Sequence, residues 1–375
     1  MMKQSGILFT DKKLTMSLVA IAALSSVAYA DATSLEDAFA KGKVSGEIGG
    51  YITSANNGGA TPDTAYSLGS VALNYETASL NGFKASLGFM ASTKIDSKNG
   101  GYGDGTPKSI MNIANVSYTS DAFTVIAGKQ AIDLEWISDY HEAVVGVVSA
   151  IPNTTIILGH TERINTSAND GALEEFHVSG TEKGVNVLDV TYEIDKTTKV
   201  GAYYMDAPDV FSAIGAKVEG EVSGLGVVAK YAKSSEDTIK DGSIMALDFK
   251  YKVGEIVLNG GYIKAGKDTG NGNLDALGDN INLLDTGNQV YKTDAKTLYV
   301  GASTTVAEFE LGGIYGTTSY DNAGASEDES ELNLTASWEC KFVKNLKVSV
   351  LYANISAETA ASDSSYYSAQ LAYSF

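Results

Sequence analysis

The nine residues that end the chain, YSAQLAYSF at positions 367–375, restrict the fold more than any other stretch of the sequence. Successive side chains of a β-strand point to opposite faces of a sheet. In an extended conformation, Tyr367, Leu371 and Phe375 would therefore share an apolar face, and Ser368 and Gln370 would lie on a polar face. The sequence predicts that the chain ends in a strand with one apolar side and one hydrated side.

The same two-residue alternation recurs along most of the chain. The clearest case is residues 243–253, where Met245, Leu247 and Phe249 alternate with Ala246 and Asp248. We predict roughly eighteen strands of about 9 to 11 residues, with sixteen as the alternative count, because a tilted strand of this length crosses a bilayer. The predicted strands cover residues 43–53, 66–77, 83–93, 110–118, 122–129, 141–150, 154–162, 185–194, 198–206, 210–219, 224–233, 243–253, 255–264, 296–305, 307–317, 329–339, 345–355 and a last strand from about 365.

The connections between these strands are predicted to alternate between short turns and longer polar segments. Residues 119–121 and 195–197 are short turns, whereas residues 95–108 and 266–295 are long connections. An even number of strands places both chain ends on the short-turn side, as in bacterial outer-membrane barrels. The predicted fold is all-β, a transmembrane antiparallel β-barrel with short periplasmic turns and long extracellular loops. A barrel of this size has a lumen too wide for side chains to fill, so we expect a water-filled channel.

Residues 1–30 have the layout of a secretory signal peptide. Lysines precede an apolar run over residues 14–27, and a small-residue triplet ends at Ala30. The alternative is a membrane anchor, but the run is short for the ~20 residues that a spanning helix needs. We predict cleavage after Ala30 and a single barrel domain over residues 31–375.

The charge and the residue counts exclude several classes of site. The formal charge is −19, and it becomes −21 without residues 1–30. This charge argues against nucleic-acid binding and favours an interior or a rim that attracts cations. Cys340 is the only cysteine, so no intramolecular disulfide can form. The histidines His141, His160 and His177 lack the cysteine and histidine spacing of a structural zinc site.

Several local motifs resemble the middle of the OprD-type outer-membrane porins. The motifs are Gly128-Lys129-Gln130, Tyr140-His141-Glu142-Ala143, Ile151-Pro152-Asn153-Thr154 and Gly159-His160-Thr161. With residues 34–50 and the terminal aromatic strand, the chain most resembles the major outer-membrane porins of the epsilon branch of proteobacteria. The resemblance implies an eighteen-stranded channel in the bacterial outer membrane, often a homotrimer, that passes small hydrophilic solutes.

The same resemblance carries expectations about partners. It implies contact with outer-membrane lipid and lipopolysaccharide, and insertion by the barrel-assembly machinery through Phe375. One expectation does not transfer. Better-known members guide carboxylate substrates along a ladder of arginines, and Arg163 is the only arginine in this chain.

The candidate functional segment is the third long connection, residues 131–140 and their flanks. In porins this connection commonly folds into the lumen, where its carboxylates would favour cations. The alternative is an ordinary solvated extracellular loop. The predicted constriction residues are Asp133, Glu135, Asp139, Glu142, Lys129 and Arg163, and inward-facing lysines that could form the opposite wall are Lys84, Lys217, Lys230, Lys250 and Lys252.

The long connection 266–295 contains a weak calcium-loop pattern. The oxygen-bearing side chains of Asp268, Asn271, Asn273 and Asp275 recur around glycines. The segment lacks the Gly and the Glu that a twelve-residue calcium loop needs at its sixth and twelfth positions. A flexible loop without metal is the alternative, and no other cofactor is expected.

The sequence predicts a passive porin that prefers cations, with two rivals left open. An outer-membrane phospholipase would need a serine activated by a histidine, for which His160 is the remaining candidate. An adhesin or receptor would use the long loops for binding, and its conductance would be incidental. We expect no enzymatic activity.

Overall fold

The computed structural model describes residues 31–103, 105–287, 289–358 and 363–375. Within these ranges the chain forms a closed antiparallel β-barrel whose wall consists of eighteen strands. A further strand of two residues, His177–Val178, belongs to the long connection 166–184. It pairs with the end of the wall strand Thr154–Asn165. The predicted barrel is therefore confirmed, and the predicted signal peptide lies outside the described residues.

The secondary-structure elements follow one another along the chain in a simple order. They are α1 Leu35–Ala40, β1 Lys43–Asn57, β2 Thr64–Glu76, β3 Phe83–Lys98, β4 Ser109–Thr119, β5 Phe123–Ala131, β6 Tyr140–Val148, β7 Thr154–Asn165, β8 His177–Val178, β9 Val185–Glu193, β10 Lys199–Ala207, β11 Phe211–Val222, β12 Leu225–Glu236, β13 Gly242–Val253, β14 Ile256–Ala265, a 3-10 turn Leu274–Leu277, β15 Lys296–Val306, β16 Phe309–Asn322, β17 Ala325–Glu339, β18 Leu346–Ala357 and β19 Ser364–Ser374.

The barrel closes where the first strand meets the last. β1 pairs with β19 over eleven positions, and the backbone N–H of Phe375 donates to the carbonyl of Gly46 at 3.0 Å. Closure leaves no open sheet edge, so every wall strand satisfies its backbone groups with two neighbours. The terminal strand predicted from residues 367–375 is confirmed.

The outer face of the wall is apolar and exposed. Ile52, Ile214, Leu298 and Val300 are 62%, 63%, 59% and 60% exposed, and similar side chains occur on the outward positions of most other strands. A contiguous exposed apolar surface of this extent is incompatible with contact to water alone. Among the described residues, none of the helices has the length and apolarity to cross a membrane.

Part of the interior is filled by protein side chains. Inward side chains of β5–β7 and β9–β16 pack against apolar residues of two long connections, 132–139 and 266–295. Trp136, Leu274 and Ile281 of these connections are at most 2% exposed. An inward course was predicted for the connection 131–140 but not for the connection 266–295, which supplies much of the buried apolar surface.

The predicted alternation of short and long connections holds only in part. Two connections on the long-loop side are as short as turns, residues 208–210 and 323–324. At the second, β16 and β17 continue pairing to Asn322 and Ala325, where we predicted a long loop. Ala323 and Gly324 both have positive φ, 54° and 92°, which is the geometry of a tight two-residue hairpin turn.

Candidate functional site

The connection 132–139 folds into the barrel because its side chains are apolar. Ile132, Leu134, Trp136 and Ile137 are at most 5% exposed. Leu134 and Ile137 form an isolated antiparallel bridge, with Leu134 N donating to Ile137 O at 2.7 Å, so the segment makes its own tight turn. The indole Nε1 of Trp136 donates to the Tyr203 hydroxyl on β10 at 2.6 Å. Burial and this hydrogen bond hold the segment against the β10 wall.

His141 fixes the base of this connection. Its side chain is fully buried. Its Nδ1 lies 2.8 Å from the hydroxyl of Thr161 on β7, and its Nε2 lies 2.9 Å from the carbonyl of Ser138. The imidazole thus joins the wall to the last turn of the connection, which is a structural role.

Glu135 is the centre of a charged cluster on the inner wall. Its carboxylate lies 2.7 Å from the Lys230 ammonium on β12 and 3.9 Å from the Lys217 ammonium on β11. Lys217 also contacts Glu219 at 3.1 Å. Because Lys217 and Lys230 lie directly opposite each other in the ladder, a carboxylate between them relieves the repulsion of like charges.

Two further carboxyl groups of the wall belong to this cluster. Asp189 on β9 and Asp248 on β13 both interact electrostatically with Glu135 and with Lys217. The Tyr299 hydroxyl on β15 donates to Asp248. Carboxylates therefore outnumber ammonium groups in the cluster, so it carries a net negative charge.

The connection 266–295 packs directly on the connection 132–139. The side-chain amide of Asn280 donates to Asp133 Oδ1 at 3.0 Å and to the carbonyl of Leu134 at 2.6 Å. Lys230 donates to the carbonyl of Asn280 at 2.7 Å, in addition to its ion pair with Glu135. Lys230 therefore binds both inward connections to the same point of the wall.

A buried carboxylate anchors the other end of the connection 266–295. Glu331 on β17 is 2% exposed. It accepts hydrogen bonds from Thr286 N at 2.9 Å, Thr286 Oγ1 at 2.6 Å, Gly287 N at 2.8 Å and Asn333 Nδ2 at 2.8 Å. Several donors compensate for the desolvation of this charge.

A third connection, residues 166–184, also reaches the inner wall. Asn169 donates to Glu47 on β1 at 2.8 Å, and the Tyr66 hydroxyl on β2 donates to the carbonyl of Asp170 at 2.9 Å. Leu173 and Phe176 are buried in a small apolar cluster that also contains Met90 and Ile110, from β3 and β4. The barrel is thus narrowed from two sides.

The structure separates the predicted constriction residues into distinct groups. Lys129, Glu142 and Arg163 lie in a row across β5, β6 and β7, with ion pairs of 3.4 Å and 3.7 Å to Glu142. Their sequence neighbours Gln130, His141 and Ile164 are buried on the opposite side of these strands. Lys129 also lies 4.2 Å over the Phe176 ring, and Arg163 donates to the Phe176 carbonyl. This row contacts the 166–184 connection, whereas Glu135 contacts the β11–β12 wall.

Asp139 ends the inward connection in a strained and desolvated position. Its φ is +79°, and its carboxylate accepts from the Ser138 hydroxyl at 2.9 Å. Burial raises the pKa of Asp139 above its ordinary value, and the nearby Glu174 and Asp133 carboxylates raise it further. The protonated form of this carboxyl is therefore favoured relative to an exposed aspartate.

The four calcium-loop candidates contact other protein groups. Asp268 pairs with Lys240 at 2.6 Å, Asn271 donates to Asp275 at 2.9 Å, and Asn273 donates to Glu236 at 2.6 Å. Within the described ranges, no group of three His, Cys, Asp or Glu side chains is placed to hold a metal ion. The calcium expectation stays a prediction.

The remaining candidates lie apart from these groups. His160 contacts Asn186 Oδ1 at 2.9 Å and Glu162 at 4.0 Å, and neither is the serine that a hydrolase would need. Lys84 pairs with Glu76 at 2.9 Å near the turn side of β2 and β3. Lys250 and Lys252 lie on the same side of β13 as Asp248, closer to its turn end.

Sequence reasoning missed Asp189, Asp248, Asn280 and Glu331 as parts of this site. The sequence did contain a signal for two of them. Asp248 and Glu331 are charged residues at inward positions of strands whose outward positions include apolar residues. Asn280 lies in a long connection without periodicity, so no local pattern identified it.

No protein-family model and no curated protein matches the chain. Several crystal structures share its fold. OpdO of Pseudomonas aeruginosa has a TM-score of 0.77 at 13% identity, over 91% of this chain and 98% of that chain. A BenF-like porin from Pseudomonas fluorescens Pf-5 has a TM-score of 0.76 at 13% identity, over 90% and 99%. OccAB1 of Acinetobacter baumannii has a TM-score of 0.75 at 13% identity, over 89% and 96%. The similarity covers 89–91% of this chain and establishes a shared fold.

Proposed function

We propose that this protein is a porin of the bacterial outer membrane that lets small hydrophilic solutes and ions diffuse passively. The observation that carries the proposal is the closed barrel with an exposed apolar outer face and charged groups inside. Such a barrel is stable in lipid because all backbone groups are paired and hydrocarbon meets apolar side chains. The similarity to a BenF-like porin supports the same function. Passive diffusion requires no catalytic residue.

The proposed filter is the narrowed zone at the connection 132–139. Three connections enter the barrel there, and the cluster around Glu135 has more carboxylates than ammonium groups. Fixed negative charge in a narrow, poorly hydrated passage attracts cations and repels anions. We propose a preference for cations on this basis, and the net charge of the chain supports it.

Recordings in planar lipid bilayers with a potassium chloride gradient test both parts of the proposal. We expect discrete conductance steps and a reversal potential on the cation-selective side. An absence of conductance steps would contradict the porin function. Steps with anion selectivity would contradict only the proposed preference for cations.

Neutralising Asp133, Glu135 and Asp139 together tests the location of the filter. We expect the cation preference to fall. The control neutralises three exposed carboxylates of the short turns, Asp121, Asp195 and Glu255, and should leave the permeability ratio unchanged. Equal effects of the two triple variants would place the filter elsewhere.

Two finer points come from the sequence resemblance alone. We propose that the barrel assembles as a homotrimer and is inserted through recognition of Phe375. The relation to porins of the epsilon branch of proteobacteria stays a prediction.

A further inference from the structure

The inner wall has an oxygen-lined notch beside Gly49, where the first and last strands close the barrel. Gly49 lies on the inward side of β1, because the preceding residue, Ile48, is 55% exposed on the outer face. A methyl group at this position would lie 3.0 Å from the Ser70 hydroxyl, 3.3 Å from the Leu371 carbonyl and 3.9 Å from the Glu47 carboxylate. Oxygen atoms from β2, β19 and β1 therefore border one small space.

The Ser70 hydroxyl borders this notch without a hydrogen-bond partner. Ser70 is 7% exposed and lies directly opposite Gly49 in the ladder of β1 and β2. Its Oγ forms no hydrogen bond with any residue that the structure describes. A buried polar atom without a partner costs desolvation free energy, and most such atoms in proteins have one. Because the hydroxyl points at the space beside Gly49, a partner for it would lie in the notch.

The connection 166–184 brings a second unpaired oxygen to the notch. The side-chain amide of Asn169 donates to Glu47 Oε1 at 2.8 Å. The Oδ1 of the same amide is buried and accepts no hydrogen bond within the described ranges. Glu47, Gly49 and Asn169 each stay partly exposed on the inner side of the wall. A solute inside the barrel can therefore reach the notch.

The notch offers acceptors and one formal negative charge. Its oxygens are a carboxylate, a main-chain carbonyl, an amide oxygen and a hydroxyl, from Glu47, Leu371, Asn169 and Ser70. A primary ammonium group has one positive charge and three N–H donors, so it matches this set. A calcium ion takes about 6–8 oxygen ligands, more than the notch supplies. A water molecule has two donors and no charge to pair with the carboxylate.

We propose that the notch beside Gly49 binds the primary ammonium group of a small amine solute inside the barrel. The ammonium group donates to the Glu47 carboxylate, the Ser70 hydroxyl and the Leu371 carbonyl. The missing side chain of Gly49 leaves the space for it. The notch lies on β19, β1 and β2, whereas the cluster around Glu135 lies on β9, β11, β12 and β13. This inference rests on the proposed porin function, because it names a class of solute for the passage.

A pair of glycine variants tests the position of the site. Saturation-transfer NMR on the purified full-length barrel in detergent measures the Kd of propylammonium, a small primary amine. G49A fills the notch with a methyl group, and G50A adds the same group at the next, outward position, where the nearest atom is 3.9 Å away. We expect the Kd to rise at least tenfold in G49A and less than twofold in G50A. Equal Kd values for the wild type and G49A would overturn the proposal.

A pair of glutamate variants tests the role of the charge. E47Q removes the charge of Glu47 but keeps an acceptor for the Asn169 amide. E76Q removes the same charge from an inward position of the neighbouring strand β2, beside Lys84. We expect the Kd of propylammonium to rise at least tenfold in E47Q and less than threefold in E76Q. Equal increases would show attraction by the overall charge of the interior and would overturn the site.

Two further arms test the chemistry of the ligand at constant ionic strength. Propyltrimethylammonium has the same charge as propylammonium but no N–H donor, so its Kd for the wild type should be at least tenfold higher. Equal affinity for the two cations would overturn the assignment to a hydrogen-bonded ammonium group. Millimolar calcium chloride should displace little propylammonium. Strong displacement would identify a metal site and would also overturn the assignment.

The porin function can fail or hold independently of this site. Wild-type protein and G50A are recorded in planar bilayers in potassium chloride without amine, and both should give the same conductance steps. Binding of propylammonium that is lost in G49A, by a protein that gives no steps, would contradict the porin function alone. Conductance steps with equal binding by the wild type and G49A would contradict the ammonium site alone. The migration of heated and unheated protein in electrophoresis confirms that each variant is folded.

Discussion

Replacing Lys230 with Met should loosen both inward connections at once. Lys230 is the closest partner of Glu135, at 2.7 Å, and it also donates to the carbonyl of Asn280 at 2.7 Å. Both side chains of the ion pair are buried, with 10% exposure for Lys230 and 6% for Glu135. Met keeps most of the volume of the side chain but removes the charge and the donor, so packing changes little.

The magnitude follows from the two distances at Glu135. At an effective dielectric constant of about 20, an ion pair at 2.7 Å contributes about 6 kcal/mol of attraction before desolvation, and one at 3.9 Å contributes about 4 kcal/mol. Removing Lys230 therefore removes more than half of the attraction on a buried carboxylate. Removing one partner of a buried pair typically costs about 3–5 kcal/mol. Lys217 remains nearby, so we expect the lower end of this range for K230M.

K217M is the matched control, since Lys217 lies directly opposite Lys230 and carries the same charge. Lys217 is farther from Glu135 and does not bond Asn280, so K217M should cost less. In single-channel recordings, K230M should show larger and noisier conductance than K217M, because the connections 132–139 and 266–295 leave the wall more often. The thermal midpoint of the folded barrel should fall in the same order. Equal conductance noise and equal midpoints in the two variants would refute this account of Lys230.

Four other changes give distinct expectations. E331A should lower the thermal midpoint more than E331Q, because each hydrogen bond to a charged group contributes about 1.5–3 kcal/mol and Gln keeps one acceptor; equal midpoints would exclude the anchor. The raised pKa of Asp139 contributes stability below its unfolded-state pKa that is lost as pH rises through the folded-state pKa, so D139N should flatten the dependence of the thermal midpoint between pH 4 and 7. An unchanged slope would contradict this. V300R should weaken refolding into lipid vesicles by about 2–4 kcal/mol in denaturant titrations, whereas an undiminished free energy would contradict lipid contact at that position. G324A should destabilise the β16–β17 hairpin by about 1 kcal/mol because its φ is +92°, and hydrogen exchange at the ends of the two strands would detect the fraying.

The strands could be predicted from sequence because their signal is local. Alternation located all eighteen wall strands, but it made β3, β16 and β17 too short at their loop-side ends. Residues 96–98 and 325–329 are mostly polar on both faces of the sheet. They therefore lack the alternation of apolar and polar residues from which the other strands were predicted. These ends are held by backbone hydrogen bonds of the ladder, which polar residues can form equally well. α1 was missed because six residues are too few for a helical period, although Ser34 caps it.

The site could be predicted only where one segment carried the signal. The apolar residues Ile132, Leu134, Trp136 and Ile137 distinguish the connection 132–139 from a solvated loop, and the structure places it inside the barrel. The pairing of Glu135 with Lys230 depends on which wall this connection meets. That choice is set by packing between distant segments, which no local pattern records. The inward lysines were predicted as a group, and the structure selects two of them for Glu135.

The central claim is that one face of each wall strand contacts hydrocarbon while the other faces the interior of the barrel. Spin labels placed singly along β13, at Phe249, Lys250, Tyr251 and Lys252 in a C340S background, test it directly in reconstituted vesicles. We predict a period of two, with oxygen relaxing the labels at Phe249 and Tyr251, and a water-soluble nickel chelate relaxing those at Lys250 and Lys252. Equal accessibility of all four labels to the nickel chelate, with no alternation, would contradict the account.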